Sequence, residues 1–213
     1  MERDILIGTR ERMGIGGDAL FELYRASFDL WRKNGLETGW LHHTQESLKL
    51  QLSQKTVFVA VDKHSGELLG MHALMPNRKA KALYGSFLAV SPTAQHCGVA
   101  TRLLQHEADL GRQKGFTHML GSTATSAVWS LKWHLKNGYR IIGYSRSEND
   151  NYASYHFRLQ LAPSIIWSGP LAPITARLSY LFYRGANAVL KDADGRPTRL
   201  LKHIKKWRAR NCK

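Results

Sequence analysis

From Gly17 to Leu36 the apolar residues Leu20, Leu23, Tyr24, Phe28 and Trp31 recur at three- and four-residue spacings, with Asp18 placed to cap the start and Gly35 to stop it. This spacing predicts an amphipathic helix. A shorter helix is predicted from Thr44 to Leu52, capped by Thr44, with Glu46 in its first turn where a carboxylate complements the helix dipole. The period then changes to two. Val57, Val59 and Val61 alternate with Phe58 and Ala60, Asp62 to Gly66 supplies turn residues, and Leu68 to Met75 returns. Pro76 to Lys79 turns again, and Ala82 to Val90 runs as a third strand. These three segments predict an antiparallel meander.

After Ser91-Pro92, the residues Val99, Leu103, Leu104, Ala108 and Leu110 mark a helix that ends at Gly115. Thr117 to Ser122 reads as a short strand, so strand, helix and strand form a parallel, right-handed unit. Another helix is predicted from about Ser126 to Asn137, stopped by Gly138, followed by two long strands around the polar turn Glu148 to Asn151. The plan is α/β with a mixed sheet of six or seven strands, closing near Leu161. Pro163, Pro170 and Pro173 mark a linker, so the chain divides into a domain over 1–162 and an extension over 163–213. In the extension, Thr175 to Leu190 reads as a helix weakened by Gly185. At its end, Leu200, Leu201, Ile204 and Trp207 form the apolar stripe of a basic amphipathic helix.

The 213 residues suit one domain with an appendage better than two full domains. Hydrophobic residues at 43% and charged residues at 22% exclude collagen-like, coiled-coil and wholly disordered classes. No stretch approaches the roughly 18 apolar residues of a spanning helix, and the charged, Gly-rich N-terminus lacks a signal-peptide core, so a cytoplasmic protein is expected. Cys97 and Cys212 have neither CxxC nor Cys/His ligand spacing, and His42-His43 alone is too short a motif for a metal site, so no metal is expected. Charge is the informative departure, at +15 overall. Residues 1–162 hold 20 basic and 14 acidic residues, whereas 163–213 hold 11 and 2, so the extension should seek polyanions.

The sharpest local signal is the stretch VSPTAQHCGVATRLL, in which a strand runs into a loop whose Gly98 and Ala100 lead directly into a helix. Such a loop presents backbone N–H groups, small residues let a ligand approach them, and the helix N-terminus adds partial positive charge. A diphosphate is the natural guest.

Here the chain resembles the GCN5-related N-acetyltransferase (GNAT) family of acyl-CoA acyltransferases. The family's Q/R-x-x-G-x-G/A loop is matched by Gln95, His96, Cys97, Gly98, Val99 and Ala100. Its preceding strand motif is matched by Leu88-Ala89-Val90-Ser91-Pro92, and its later helix ending in Gly-Tyr by Leu135 to Tyr139. The order of elements agrees over roughly residues 5 to 161. The resemblance implies that the amides of Gln95 to Ala100 hold the diphosphate of acetyl-CoA and that Leu88, Ala89 and Val90 pair with its pantetheine arm. It also implies that neighbouring parallel strands splay to admit that arm. The implied reaction is transfer of an acetyl (acyl) group to an amine acceptor.

The sequence departs from the family pattern at two positions. Where many members carry a Glu base, two residues before the strand-motif Leu, this chain has Ser86. Where many carry a Tyr acid, four residues before the later Gly, it has His134. A histidine suits either acid or base. By period two, Tyr84 and Ser86 share a strand face with Leu88 and are candidates to line the acceptor site. His72, on the facing strand, is a candidate to hold a water for proton removal or is structural. Trp129, Trp133 and Tyr139 are candidates to cover the acetyl-CoA arm or the acceptor, or belong to the core. Cys97 is read as a loop residue.

The basic extension admits three readings: an anionic membrane surface, nucleic acid or ribosome, or packing on the core or on a second subunit in a homodimer. Two functional classes remain: a CoA-dependent acyltransferase, with long-chain donors as a variant, and a non-catalytic module on the same fold that binds CoA or an anion.

Overall fold

Five consecutive residues, Val57 to Val61, are buried in the strand Thr56–Asp62, so this strand lies inside a sheet with a packed layer on each face. The computed structural model describes residues 4–33, 43–146 and 153–161. In chain order the elements are β1 (Ile5–Thr9), α1 (Gly17–Lys33), α2 (Gln45–Ser53), β2 (Thr56–Asp62), β3 (Leu68–Asn77), β4 (Ala82–Val90) and α3 (Val99–Gln113). They continue with β5 (His118–Ala124), α4 (Val128–Lys136), β6 (Arg140–Arg146) and β7 (Ala153–Gln160). The strands form one seven-stranded mixed sheet in the order β1-β2-β3-β4-β5-β7-β6. Every neighbouring pair is antiparallel except β4 and β5, which are parallel across the α3 crossover.

The period-two pattern sorts β2 between two cores. Phe58 and Ala60 pack with Leu103, Leu104 and Ala108 of α3, while Val57 and Val59 pack with Leu20, Tyr24 and Phe28 of α1 and Leu48 and Leu52 of α2. The amphipathic stripes of the sequence therefore carry α1 and α2 to one face and α3 to the other. Thr44 caps α2 as expected, its hydroxyl accepting from the Ser47 N–H.

Two features of the sheet were not read from the spacing. The N-terminal segment, to which no element was assigned, supplies the seventh strand of a sheet expected to hold six or seven. β1 is only five residues long, lies at the sheet edge against β2 and leaves Leu6 exposed, so its sequence lacks the long alternation of an inner strand. The second concerns β4, where strict alternation fails. Phe87 adopts φ 55°, and the β3–β4 register slips between Met71 and Ala73, inserting a bulge. Tyr84 and Ser86 stay on one face, opposite Met75 and Ala73, but Leu88 is carried to the other face and packs with the α3 core.

Among the described residues no helix is long and apolar enough to cross a membrane. The turn at 148–151 and the whole extension 163–213, with its expected helices, lie outside the described residues.

Candidate active site

β4 and β5 pair only at Ala82–His118, Leu83–Met119 and Tyr84–Leu120. Beyond that point β4 stays with β3 while β5 stays with β7 as far as Ala124. The sheet thus opens into a wedge, and the bulge at Phe87 sits on its β4 side. A cavity of about 290 Å³ occupies the wedge. Its walls come from Gly85 to Leu88 of β4, Gly121 to Ala124 of β5, His72 of β3, Ser130 and His134 of α4, and Phe28 and Trp31 of α1. The Trp31 ring meets Trp129 of α4 edge-on at 5.0 Å, joining helices from opposite sides of the opening. Past Tyr84 the backbone of β4 has no strand partner on its β5 side among the described residues, which suits an extended ligand bearing amide groups. At the far end of that stretch the Ser27 hydroxyl lies 2.8 Å from the Val90 carbonyl and 2.7 Å from the Leu23 carbonyl, so Val90 is already engaged from α1.

β4 leads through a 3-10 turn, Pro92–Ala94, into the loop that starts α3. His96 and Gly98 both take left-handed conformations, φ 63° and 80°. Left-handed residues let a chain curl around an anion; within this loop the Cys97 N–H donates to the Ala94 carbonyl at 3.3 Å. Gly98 is the N-cap of α3, and among the described residues no side chain caps the helix there and a Cβ at Gly98 would meet nothing within 4 Å. Open space therefore adjoins the amides of the first helical turn, whose partial positive charge favours a diphosphate. Within the loop, Val99 is buried and anchors the helix, leaving only its N–H to serve a ligand, whereas Gln95 and Ala100 are half-buried and Cys97 is an exposed free thiol.

Of the three catalytic candidates, His134 and Ser86 line the cleft; Tyr84 does not, and is exposed at the point where β4 and β5 part. Ser86 Oγ lies 3.5 Å from the Ala73 carbonyl. His134 stacks on Phe157 with ring centroids 4.5 Å apart and planes 7° from parallel, and meets Tyr139 edge-on. Its Nδ1–H donates to the Ser130 carbonyl at 2.7 Å, so in the neutral ring Nε2 carries the lone pair. Burial holds this imidazole well below the usual histidine range, at about 4, with the neighbouring His72 acting in the same direction. At neutral pH His134 is therefore uncharged and offers the cleft an acceptor. Trp133 and Tyr139 belong to the α3-side core, and only Trp129 reaches the mouth of the cleft.

His72 also faces the cleft, and its Nδ1 lies 2.7 Å from Oε2 of Glu107. Glu107 is wholly buried, and its other oxygen has no hydrogen-bond partner among the described residues. Sequence reasoning passed over this carboxylate. The signal was present: Glu107 falls four residues after Leu103 and one before Ala108, on the apolar stripe of α3. Among the described residues no group of three or more His, Cys, Asp or Glu side chains is arranged to hold a metal.

The chain is similar in fold to several solved acetyltransferases. The ribosomal-protein-S18-alanine N-acetyltransferase from Escherichia coli matches with a TM-score of 0.59 at 11% identity, covering 76% of this chain and 96% of that one. The IAA acetyltransferase from Bacillus cereus ATCC 14579 gives 0.54 at 18% identity, covering 74% and 99%. A GCN5-related N-acetyltransferase from Kribbella flavida gives 0.54 at 18% identity, covering 75% and 98%. No curated protein matches the chain significantly. The sequence pattern of the acetyltransferase (GNAT) family matches residues 18–139, which is more than half of the chain and spans α1 through α4, and the protein belongs to that family.

Proposed function

We propose that the protein transfers an acetyl group from acetyl-CoA to a primary amine by direct attack within a ternary complex. The observation that carries this reading is the continuity of the wedge with the loop that starts α3. The unpaired edge of β4 runs from the cleft to the uncapped start of α3, with open space above Gly98. In this reading the amides of Gln95 to Ala100 take the diphosphate, and Leu88 to Val90 align the pantetheine arm. The thioester then lies in the wedge, near Ser86 and His134. The amine enters from the side roofed by Phe28, Trp31 and Trp129.

Holding thioester and amine together supplies the larger part of the rate enhancement. Nε2 of His134, bare at neutral pH, is suited to accept a hydrogen bond from the amine or from the product thiol. Donating a proton to the departing sulfur, the role the family resemblance assigns, would first require charging this buried ring. The geometry favours the acceptor role.

The test is calorimetric titration of acetyl-CoA and of CoA into the wild type and Gly98→Glu, with circular dichroism to confirm that the variant folds. Thiol release from acetyl-CoA by a panel of primary amines follows. Binding in the micromolar range (~1–100 μM) that is lost in a folded Gly98→Glu supports the reading. Absence of binding to the wild type at millimolar CoA refutes it.

A further inference from the structure

The cleft holds a second imidazole for which acetyl transfer as described has no use. His72 reaches it from β3, with Nδ1 2.7 Å from Oε2 of Glu107 on α3. With Glu107 as the carboxylate, which only accepts, Nδ1 carries the proton and Nε2 the lone pair. Nε2 lies over β4 at Gly85, where a Cβ would stand 2.6 Å from it and 2.7 Å from Cε1, so only glycine at 85 gives the ring this position. The cleft is lined at that point by both His72 and Gly85.

We propose, resting on the acetyl-transfer reading above, that His72 is the base that deprotonates the attacking amine and that Glu107 is the residue that positions it. An amine at neutral pH arrives as the ammonium ion and cannot attack. Nε2 of His72 takes one proton, giving an imidazolium and a free amine. The amine lone pair forms the C–N bond to the thioester carbonyl, the C–S bond breaks, and the second nitrogen proton ends on the departing sulfur. His72 then returns its proton to solvent through the open cleft. Glu107 is suited to this cycle because its buried carboxylate, with one oxygen unpartnered among the described residues, gains a paired cation when His72 charges.

The titratable groups that face His72 are Glu107 from α3 and His134 from α4, with Tyr139 at the end of α4 sensing the Glu107 charge. His134 is the alternative base, and it is the poorer one. Its Nδ1–H is spent on a neutral carbonyl, no carboxylate backs it among the described residues, and burial opposes its charged form. Ser86 offers no carboxylate in its place.

The proposal is tested with two small amines that any cleft admits: ethylamine, which is protonated at neutral pH, and trifluoroethylamine, which is largely free base. Single-turnover thiol release from acetyl-CoA is measured for the full-length wild type, His72→Gln and Glu107→Gln across pH, with acetyl-CoA affinity measured in parallel. His72→Gln should lower the ethylamine rate about 10²–10⁴-fold and the trifluoroethylamine rate by about tenfold at most, with acetyl-CoA affinity retained. Glu107→Gln should move the base limb of the pH profile to lower pH. Equal losses with both amines, or an unchanged profile in a variant that still binds acetyl-CoA, overturn the proposal. Should His72→Gln fail to fold, ring nitrogen NMR of the wild type decides. A bare Nε2 on His72 at neutral pH supports the assignment, and a protonated Nε2 beside a bare Nδ1 overturns it. If the wild type binds no acetyl-CoA, or neither amine releases thiol above the uncatalysed rate, acetyl transfer itself fails and the base assignment falls with it.

Discussion

Nδ1 of His72 and Oε2 of Glu107 lie 2.7 Å apart although 35 positions separate them in the chain. β3 brings the histidine to the α3 face of the sheet, and the stripe of α3 that carries Leu103 and Ala108 turns the carboxylate inward to meet it. A polar pair has thus been inserted into an otherwise apolar contact. Such a pair costs desolvation free energy that a leucine and a phenylalanine would not, which is the general reason to look for a function in it.

The position of His72 depends on Gly85. Gly85→Ala places a methyl group 2.6 Å from Nε2, closer than side-chain contacts allow, so something must shift. The ring must turn away from Glu107 or from the cleft. Thermal unfolding should show a loss of about 1–3 kcal/mol, the usual range for overpacking. Histidine ring NMR should show the His72 environment changed. A variant with wild-type stability and an unmoved His72 resonance would mean that the ring does not occupy this place.

Most of the scaffold was legible because it rests on local periodicity. The stripe from Leu20 to Trp31 and the alternation from Val57 to Val61 each specify an element and its buried face, and both are found. The turn into α3 was legible for the same kind of reason, since Gly98 is needed where φ is 80° and it directly precedes a helix. What escaped depends on partners distant in sequence. β1 is an edge strand whose pairing with β2 is not written in its five residues. The bulge at Phe87 reverses the facing of Leu88, and a bulky residue at positive φ gives no sequence sign of it. Glu107 looked like one more charge on an amphipathic helix until its place on the stripe was matched to His72 across the sheet.

Ser27 gives a test of how rigidly α1 is tied to the cleft. Its hydroxyl lies within bonding distance of both the Leu23 and Val90 carbonyls but has one proton to give, so one bond forms at a time. Ser27→Ala should cost about 1 kcal/mol by urea unfolding, the net value of a buried hydrogen bond. It should also speed amide exchange at the β4 end of the cleft. No change in exchange there would mean that Val90 is held by its β3 pairing alone.

Thr44→Ala supplies a control remote from the cleft. The Thr44 hydroxyl accepts from the Ser47 N–H at 3.2 Å at the start of α2. Its loss should destabilise the fold by about 1 kcal/mol. Acetyl-CoA affinity should be unchanged at a temperature well below the transition. A large change in affinity would show that α2 is coupled to the cleft in a way its contacts do not indicate.

His134 should make stability fall on acidification. Its folded pKa is held at about 4 by burial, against 6.5 for the free group. Between these values the unfolded chain binds a proton that the folded chain refuses. Stability contributed by this residue is therefore whole above pH 6.5, is lost as the pH falls towards 4, and changes no further below that. A gap of two to three pH units integrates to about 3 kcal/mol. His43 and His118, which burial also depresses, add to the slope in the same direction. Urea unfolding at pH 7 and pH 4.5 should therefore show a drop in the wild type that is smaller by most of that amount in His134→Gln. Equal drops in the two proteins would mean that the ring charges freely in the folded state, and His134 would then be available as the proton donor that the family resemblance assigns.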